Sequence, residues 1–135
     1  MSDQNVHLFR RMVDAVTARD PETQLAPLLA PDYHIDNIVT AVTDKTYNGV
    51  PGCLEWLQDM SEAFAPGARY EMEALVADTE EFVVTRMAFV GVGARSGAPL
   101  QLRWIAVTWC DRGKLTHSAG YANRREALEA VGLPG

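Results

Sequence analysis

The rhythm of hydrophobic and polar positions changes once along this chain, near residue 68. Before that point Val6, Phe9, Val13 and Val16 recur at three- and four-residue steps with Met12 beside them, which predicts an amphipathic helix over 5–19. Ser2 or Asp3 can cap it. Asp20-Pro21 reads as a cap followed by proline at the first helical position, and so starts a shorter helix. Leu25, Leu28 and Leu29 form its buried side and Pro31 its end. "YHIDNIV" at 33–39 is short and rich in β-formers, a strand opening into a loop. Turn signals crowd 41–51 before Cys53, Trp56, Leu57, Met60 and Phe64 mark one face of a third helix.

From Ala68 the period shortens to two. "RYEMEALVA", "EFVVTRMAFVGVG", "PLQLRWIAVTWC" and "KLTHSAGY" are separated by hairpin-length connections, which predicts an antiparallel meander. Gly91 and Gly93 are candidate bulge positions in its long strands. Asn123-Arg124-Arg125-Glu126 is a capping box for a last helix that Gly132 ends. Helices followed by long strands give an α+β layout, one domain over 1–135, with a curved sheet folded around helices and a mouth that suits a small-molecule pocket.

Composition narrows the function. A net charge of −6 argues against a nucleic-acid or anionic-membrane surface. Cys53 and Cys110 lack CxxC spacing, so neither a disulfide framework nor a zinc site is expected. No apolar run approaches the ~20 residues that span a bilayer, and the start of the chain lacks a signal-peptide pattern. The expectation is a cytoplasmic protein with neither metal nor cofactor.

The order of elements resembles the nuclear transport factor 2-like cone, and its SnoaL-like branch in particular. The resemblance is carried by "LLAPDY" at 28–33, "NGVPGCLEWLQDMSEAF" at 48–64, "VTWCDRGKL" at 107–115 and "YANRREALEAVGLPG" at 121–135, which cover almost the whole chain. It implies a cone-shaped curved antiparallel sheet around N-terminal helices, a homodimer through the convex side, and a pocket for a small hydrophobic or polycyclic molecule. Isomerases, epoxide hydrolases, polyketide cyclases and plain binding proteins share this fold, so it does not fix the reaction.

Matching those enzymes residue by residue leaves gaps. A ketosteroid-isomerase-like reading puts Asn37 at the carboxylate base position, with Asp36 beside it, Ala106 at an acidic donor position and Met12 near a tyrosine. An amide cannot take a proton at neutral pH, so Asn37 cannot be that base. A limonene-epoxide-hydrolase-like reading keeps Asn37 and Arg86 but meets Ile35, Ala88 and Gly120 where a tyrosine and two carboxylates belong. Polyketide-cyclase-type proteins place a general acid on the last strand, again at Gly120. Two readings of Gly120 stand: a bulge or close packing contact, or room left in the pocket by a lost acid.

The implied strand parity sends Val84, Arg86 and Ala88 into the cone, where Arg86 would need a counter-charge from Asp36 or a ligand. The alternative places Arg86 on the outer face. His34 and Asp36 share one face of their strand and form a candidate general-base pair, against the plainer reading of exposed polar residues at a strand end. Ile35, Trp56, Trp104, Ala106, Ser118 and Gly120 complete the expected pocket lining, with His117 on the opposite face from Ser118. The expected activity is binding of a small hydrophobic molecule, with cyclase, isomerase or hydrolase chemistry as the enzymatic version. A non-catalytic binding or dimeric interaction module is the alternative.

Overall fold

The computed structural model describes residues 2–36 and 46–134. Helix α1 (Ser2–Val16) precedes a short α2 (Pro21–Leu25), then strands β1 (Leu29–Asp36) and β2 (Thr46–Asn48) and helix α3 (Gly49–Ser61). Four strands follow, β3 (Arg69–Asp78), β4 (Phe82–Val92), β5 (Pro99–Asp111) and β6 (Lys114–Tyr121), before helix α4 (Arg124–Ala130). The described strands make one curved, unclosed sheet in the order β2-β1-β6-β5-β4-β3.

The meander forms as its alternation predicts, but the sheet is mixed. Strand β1 runs parallel to β6 in the register His34↔His117, Ile35↔Ser118 and Asp36↔Ala119. Local pattern cannot show that pairing, because its partners lie more than 80 residues apart. Pro31 does not end a helix. It lies inside β1, in the stretch where the β1–β6 register shifts between Leu29 and His34, a position that loses no ladder bond to proline. Asp20 precedes α2 without a side-chain capping bond, whereas Asn123 accepts from the Glu126 amide at 2.9 Å.

Period-two alternation sorts the sheet into two apolar faces. On the concave face Tyr33, Ile35, Met87, Phe89, Trp104, Ala106, Cys110 and Leu115 pack with Phe9, Met12 and Val16 of α1 and with Cys53, Trp56 and Met60 of α3. On the convex face Phe82, Val84, Ile105 and Val107 pack under Ala127 and Leu128 of α4. Asn5 anchors the start of α1 by donating to the Thr79 and Glu80 carbonyls at the β3–β4 turn. The β5–β6 turn has both Arg112 and Gly113 at positive φ, 52° and 75°, as a two-residue primed turn requires.

The expected bulge at Gly91 and Gly93 is absent. The β4–β5 register runs without a shift through Gly91↔Leu100 to Val92↔Pro99, and the irregularities fall in β3 and near Trp109 instead. Gly91 serves contact: a Cβ there would sit 3.0 Å from Ala68 Cβ. Gly52 is tighter still, since a Cβ would approach the Tyr47 carbonyl carbon to 2.6 Å. The β2–α3 junction therefore packs backbone against backbone. Gly52→Ala is expected to destabilise the protein by about 1–3 kcal/mol through overpacking, read as a lowered urea midpoint. An unchanged midpoint would show that the junction can yield.

Candidate functional site

Between the concave face and helices α1 and α3 lies a largely apolar cavity of about 530 Å³, its open mouth included. Phe9 and Met12 come from α1, Cys53, Trp56 and Met60 from α3, and Tyr70, Trp104, Ala106 and Thr108 from the meander. Strands β1 and β6 close it with Tyr33, Ile35, Asp36, Ser118, Ala119 and Gly120. Tyr70 and Trp104 lie nearly parallel, 7° apart with centroids 6.0 Å apart, and Trp56 meets both edge-on. Such walls suit a flat apolar guest.

Among the described residues a chain of hydroxyls interrupts this lining. Tyr33 Oη lies 2.8 Å from Ser118 Oγ, which lies 3.2 Å from Thr108 Oγ1, making a buried chain of three hydroxyls. Tyr33 also donates to Met12 Sδ at 3.7 Å, a weak acceptor. Burial, with smaller contributions from Cys53 and Tyr70, holds the Tyr33 phenol well above its usual range, so it is a neutral donor. Nothing in the sequence separates Tyr33 or Tyr70 from ordinary core aromatics. The usable signal for Tyr33 is its alternation with Ile35 on the buried side of β1.

The expected residues divide between the two faces. Ile35, Trp56, Trp104, Ala106, Ser118 and Gly120 line the cavity. Gly120 pairs with Ala106 in an unshifted stretch of the β5–β6 ladder, so it is not a bulge. Asp36 borders the same cavity.

Val84, Arg86 and Ala88 do not enter the cone. Met87 and Phe89 take the concave side, which sends the even-numbered residues of β4 outward. Val84 joins the cluster under α4, and Ala88 is buried away from the cavity. Arg86, half-exposed, lies 3.7 Å from Glu73, which Arg103 grips through two hydrogen bonds at 2.9 and 3.1 Å. Those bonds, led by the one from Arg103, hold Glu73 below the usual carboxylate range. The cavity therefore gains no guanidinium from Arg86. Asn37 lies outside the described residues.

His34 and Asp36 do share the outer face of β1, and β6 adds His117 to them. His117 Nε2 is 2.9 Å from Asp36 Oδ2, and the His34 ring stacks on His117 with centroids 4.1 Å apart. Trp109 stacks on the other side of His117 at 4.5 Å.

Residues 9–118 match the model of the SnoaL-like domain. Solved structures agree on the fold. An NTF2-like protein of unknown function from Mesorhizobium loti is 20% identical, with 91% of this chain and 93% of that one covered at a TM-score of 0.66. AclR from Streptomyces galilaeus, a candidate hydroxylase, is 16% identical with 98% of each chain covered at 0.67. A candidate SnoaL-like polyketide cyclase from a Jannaschia species is 15% identical, with coverage of 99% and 95% at 0.65. No curated protein matches the chain significantly. Among the described residues no helix is long and apolar enough to cross a membrane.

The buried thiols give the cavity a pH signature. Burial pushes Cys53 from 9.0 up to about 12 and Cys110 up to about 11. Unfolded thiols would ionise first, so the associated stability is complete below pH 9 and is lost as pH rises from there towards the folded values. The urea midpoint is expected to fall between pH 8.5 and 10.5, and to fall less in Cys53→Ala. An equal fall in that variant would show that Cys53 is not a source.

Proposed function

The chain belongs to the SnoaL-like domain family, and from that premise we propose that it holds a small, planar, largely apolar molecule with one carbonyl or phenolic oxygen. The observation that carries this is the hydroxyl chain. Three hydroxyls bring three protons, and the two bonds linking Tyr33, Ser118 and Thr108 use two of them. The third has only the Met12 thioether among the partners seen. A ligand oxygen is a far better acceptor than a thioether, so such an oxygen seats at Tyr33 while its apolar body lies against Trp56, Tyr70 and Trp104. The absence of Arg86 from the lining turns the preference from an anionic guest towards a neutral one.

Any catalysis here rests on orientation and on hydrogen bonding to developing charge at the ligand oxygen. Cyclisation or isomerisation of a reactive polyketide-like substrate fits these means. An epoxide-hydrolase-like reaction does not, since Arg86 belongs to the outer face. Asp36 borders the cavity, but its carboxylate is turned to Thr46 and His117 on the outer face. The homodimer through the convex face remains part of the same proposal.

Native mass spectrometry of freshly purified protein reads retained ligand and oligomeric state together. In parallel, 2-naphthol serves as a planar phenolic probe by fluorescence and thermal shift. Wild type is expected to bind it and gain melting temperature. Tyr33→Phe should bind it about fivefold more weakly, the worth of about 1 kcal/mol for one hydrogen bond. Gly120→Leu should fold and lose binding, because its side chain fills the space opposite Ala106. Undiminished binding in Gly120→Leu would sink the proposal.

A further inference from the structure

We propose that His34, Asp36 and His117 form a site for one divalent transition ion of the zinc class, on the sheet face opposite the aromatic wall of the cavity. The site is independent of whether the cavity holds a ligand. It arises from the parallel pairing of β1 and β6, which makes His34 and His117 register partners. Asp36 stands two residues beyond His34, so all three side chains leave the same face. One donor atom from each lies within 4.8 Å of those of the other two.

The spacing fits a first coordination shell. Imidazole nitrogen and carboxylate oxygen bind zinc at about 2.0–2.2 Å, so two ligand atoms on one ion stand at most about 4.4 Å apart. His117 Nε2 is 2.9 Å and His34 Nε2 is 4.0 Å from the same atom, Asp36 Oδ2. The backbone of both strands is fixed by the ladder. The stacked imidazoles need only fan apart about their side-chain torsions for both lone pairs to meet. Both rings keep partial exposure, 37% for His34 and 26% for His117, which leaves room for that turn.

Neighbouring groups set two of the three ligands, His34 and Asp36, in the right sense. The Asp32 carbonyl lies 3.3 Å from His34 Nδ1, so the proton belongs on Nδ1 and the lone pair on Nε2. Thr46 Oγ1 donates to Asp36 Oδ1 at 3.3 Å, leaving Oδ2 towards the two rings. Trp109 backs His117 from its far side. An ion entering between His117 Nε2 and Asp36 Oδ2 takes the place of the proton that His117 now donates there, the proton moving to Nδ1 or to solvent.

The donor set selects the ion. Two imidazoles and one carboxylate suit zinc, cobalt, nickel or ferrous ions, whereas calcium and magnesium prefer all-oxygen cages. Three protein ligands leave coordination positions open to water or a small anion, the arrangement of a reactive rather than a purely structural ion. Sequence spacing hides the site, because Asp36 and His117 are 81 residues apart.

The test uses tag-free protein stripped with EDTA. Zinc binding is followed by calorimetry, cobalt binding by its visible spectrum and by quenching of tryptophan fluorescence. One ion per chain at micromolar affinity is expected, with cobalt quenching that Trp109→Phe reduces. His34→Ala, His117→Ala and Asp36→Asn should each weaken binding tenfold or more, while His7→Ala, at an exposed position of α1, should not. His117→Gln, which can still hydrogen-bond to Asp36, guards against loss of fold: weaker binding at an unchanged melting temperature supports the site. Wild-type affinity in the double variant His34→Ala/His117→Ala overturns the proposal, as does an equal loss in His7→Ala or no stoichiometric binding. Retained 2-naphthol binding without metal would show that the cavity reading stands whatever this result.

Discussion

The parallel register of β1 on β6 is the constraint on which the other features depend. Without it β1 and β2 would have no edge to join, and the concave face would lack the wall that Tyr33 and Ile35 provide. Burial drives the pairing. Leu28, Leu29, Tyr33, Ile35 and Leu115 are all buried, and each fully covered large side chain contributes about 1.5–3 kcal/mol relative to exposure. The Leu115 amide also donates to the Leu28 carbonyl at 2.8 Å, locking the start of the register. A slip of one residue would turn Tyr33 and Ile35 to the outside and bring His34 and Asp36 into an apolar interior, at a cost no local contact can offset.

The same register creates two chemical environments back to back. On the concave side it brings Tyr33 to Ser118, and β5 adds Thr108 from the strand beyond. On the convex side it brings His34 and Asp36 to His117, and β5 adds Trp109. The hydroxyl chain is enclosed and neutral, because burial opposes ionisation of Tyr33. The imidazole–carboxylate cluster keeps partial access to solvent. Asp36 belongs to both, as a cavity-border residue and as the shared partner of the two histidines.

Much of this was legible in the sequence, and the illegible part has a common physical origin. Helical spacing near the start of the chain, the hairpin-length connection before Lys114 and the Asn123 cap are local signals, decided within a few residues, and the structure follows them with the first helix at Ser2–Val16. The cavity positions of Trp104, Ala106, Ser118 and Gly120 also follow from alternation once one strand is placed. The side taken by Arg86 stayed open between the cone and the outer face, and the inward parity implied by the resemblance does not hold, because alternation within β4 leaves both sides apolar: Val83, Met87 and Phe89 on one, Phe82, Val84 and Ala88 on the other. A strand covered on both faces carries no polarity to say which side is in. Helix α4 supplies the second cover. Its contact with Val84 and Val107 is tertiary and leaves no trace in the rhythm of β4 itself.

Where the charge sits then decides what kind of chemistry each face can support. Arg86 and Arg103 share Glu73 on the outer surface, where solvent screens their charges. Inside, the described residues include a chain of three hydroxyls in a medium of low polarity, where a single O–H···O bond to developing charge is stronger than the same bond in water. A neutral donor of this kind stabilises an oxyanion without first binding an anion, so it discriminates between a substrate carbonyl and the enolate it becomes. A guanidinium in the same place would grip both states. On the proposed reading, cations outside and a hydroxyl chain within would favour a guest that enters uncharged.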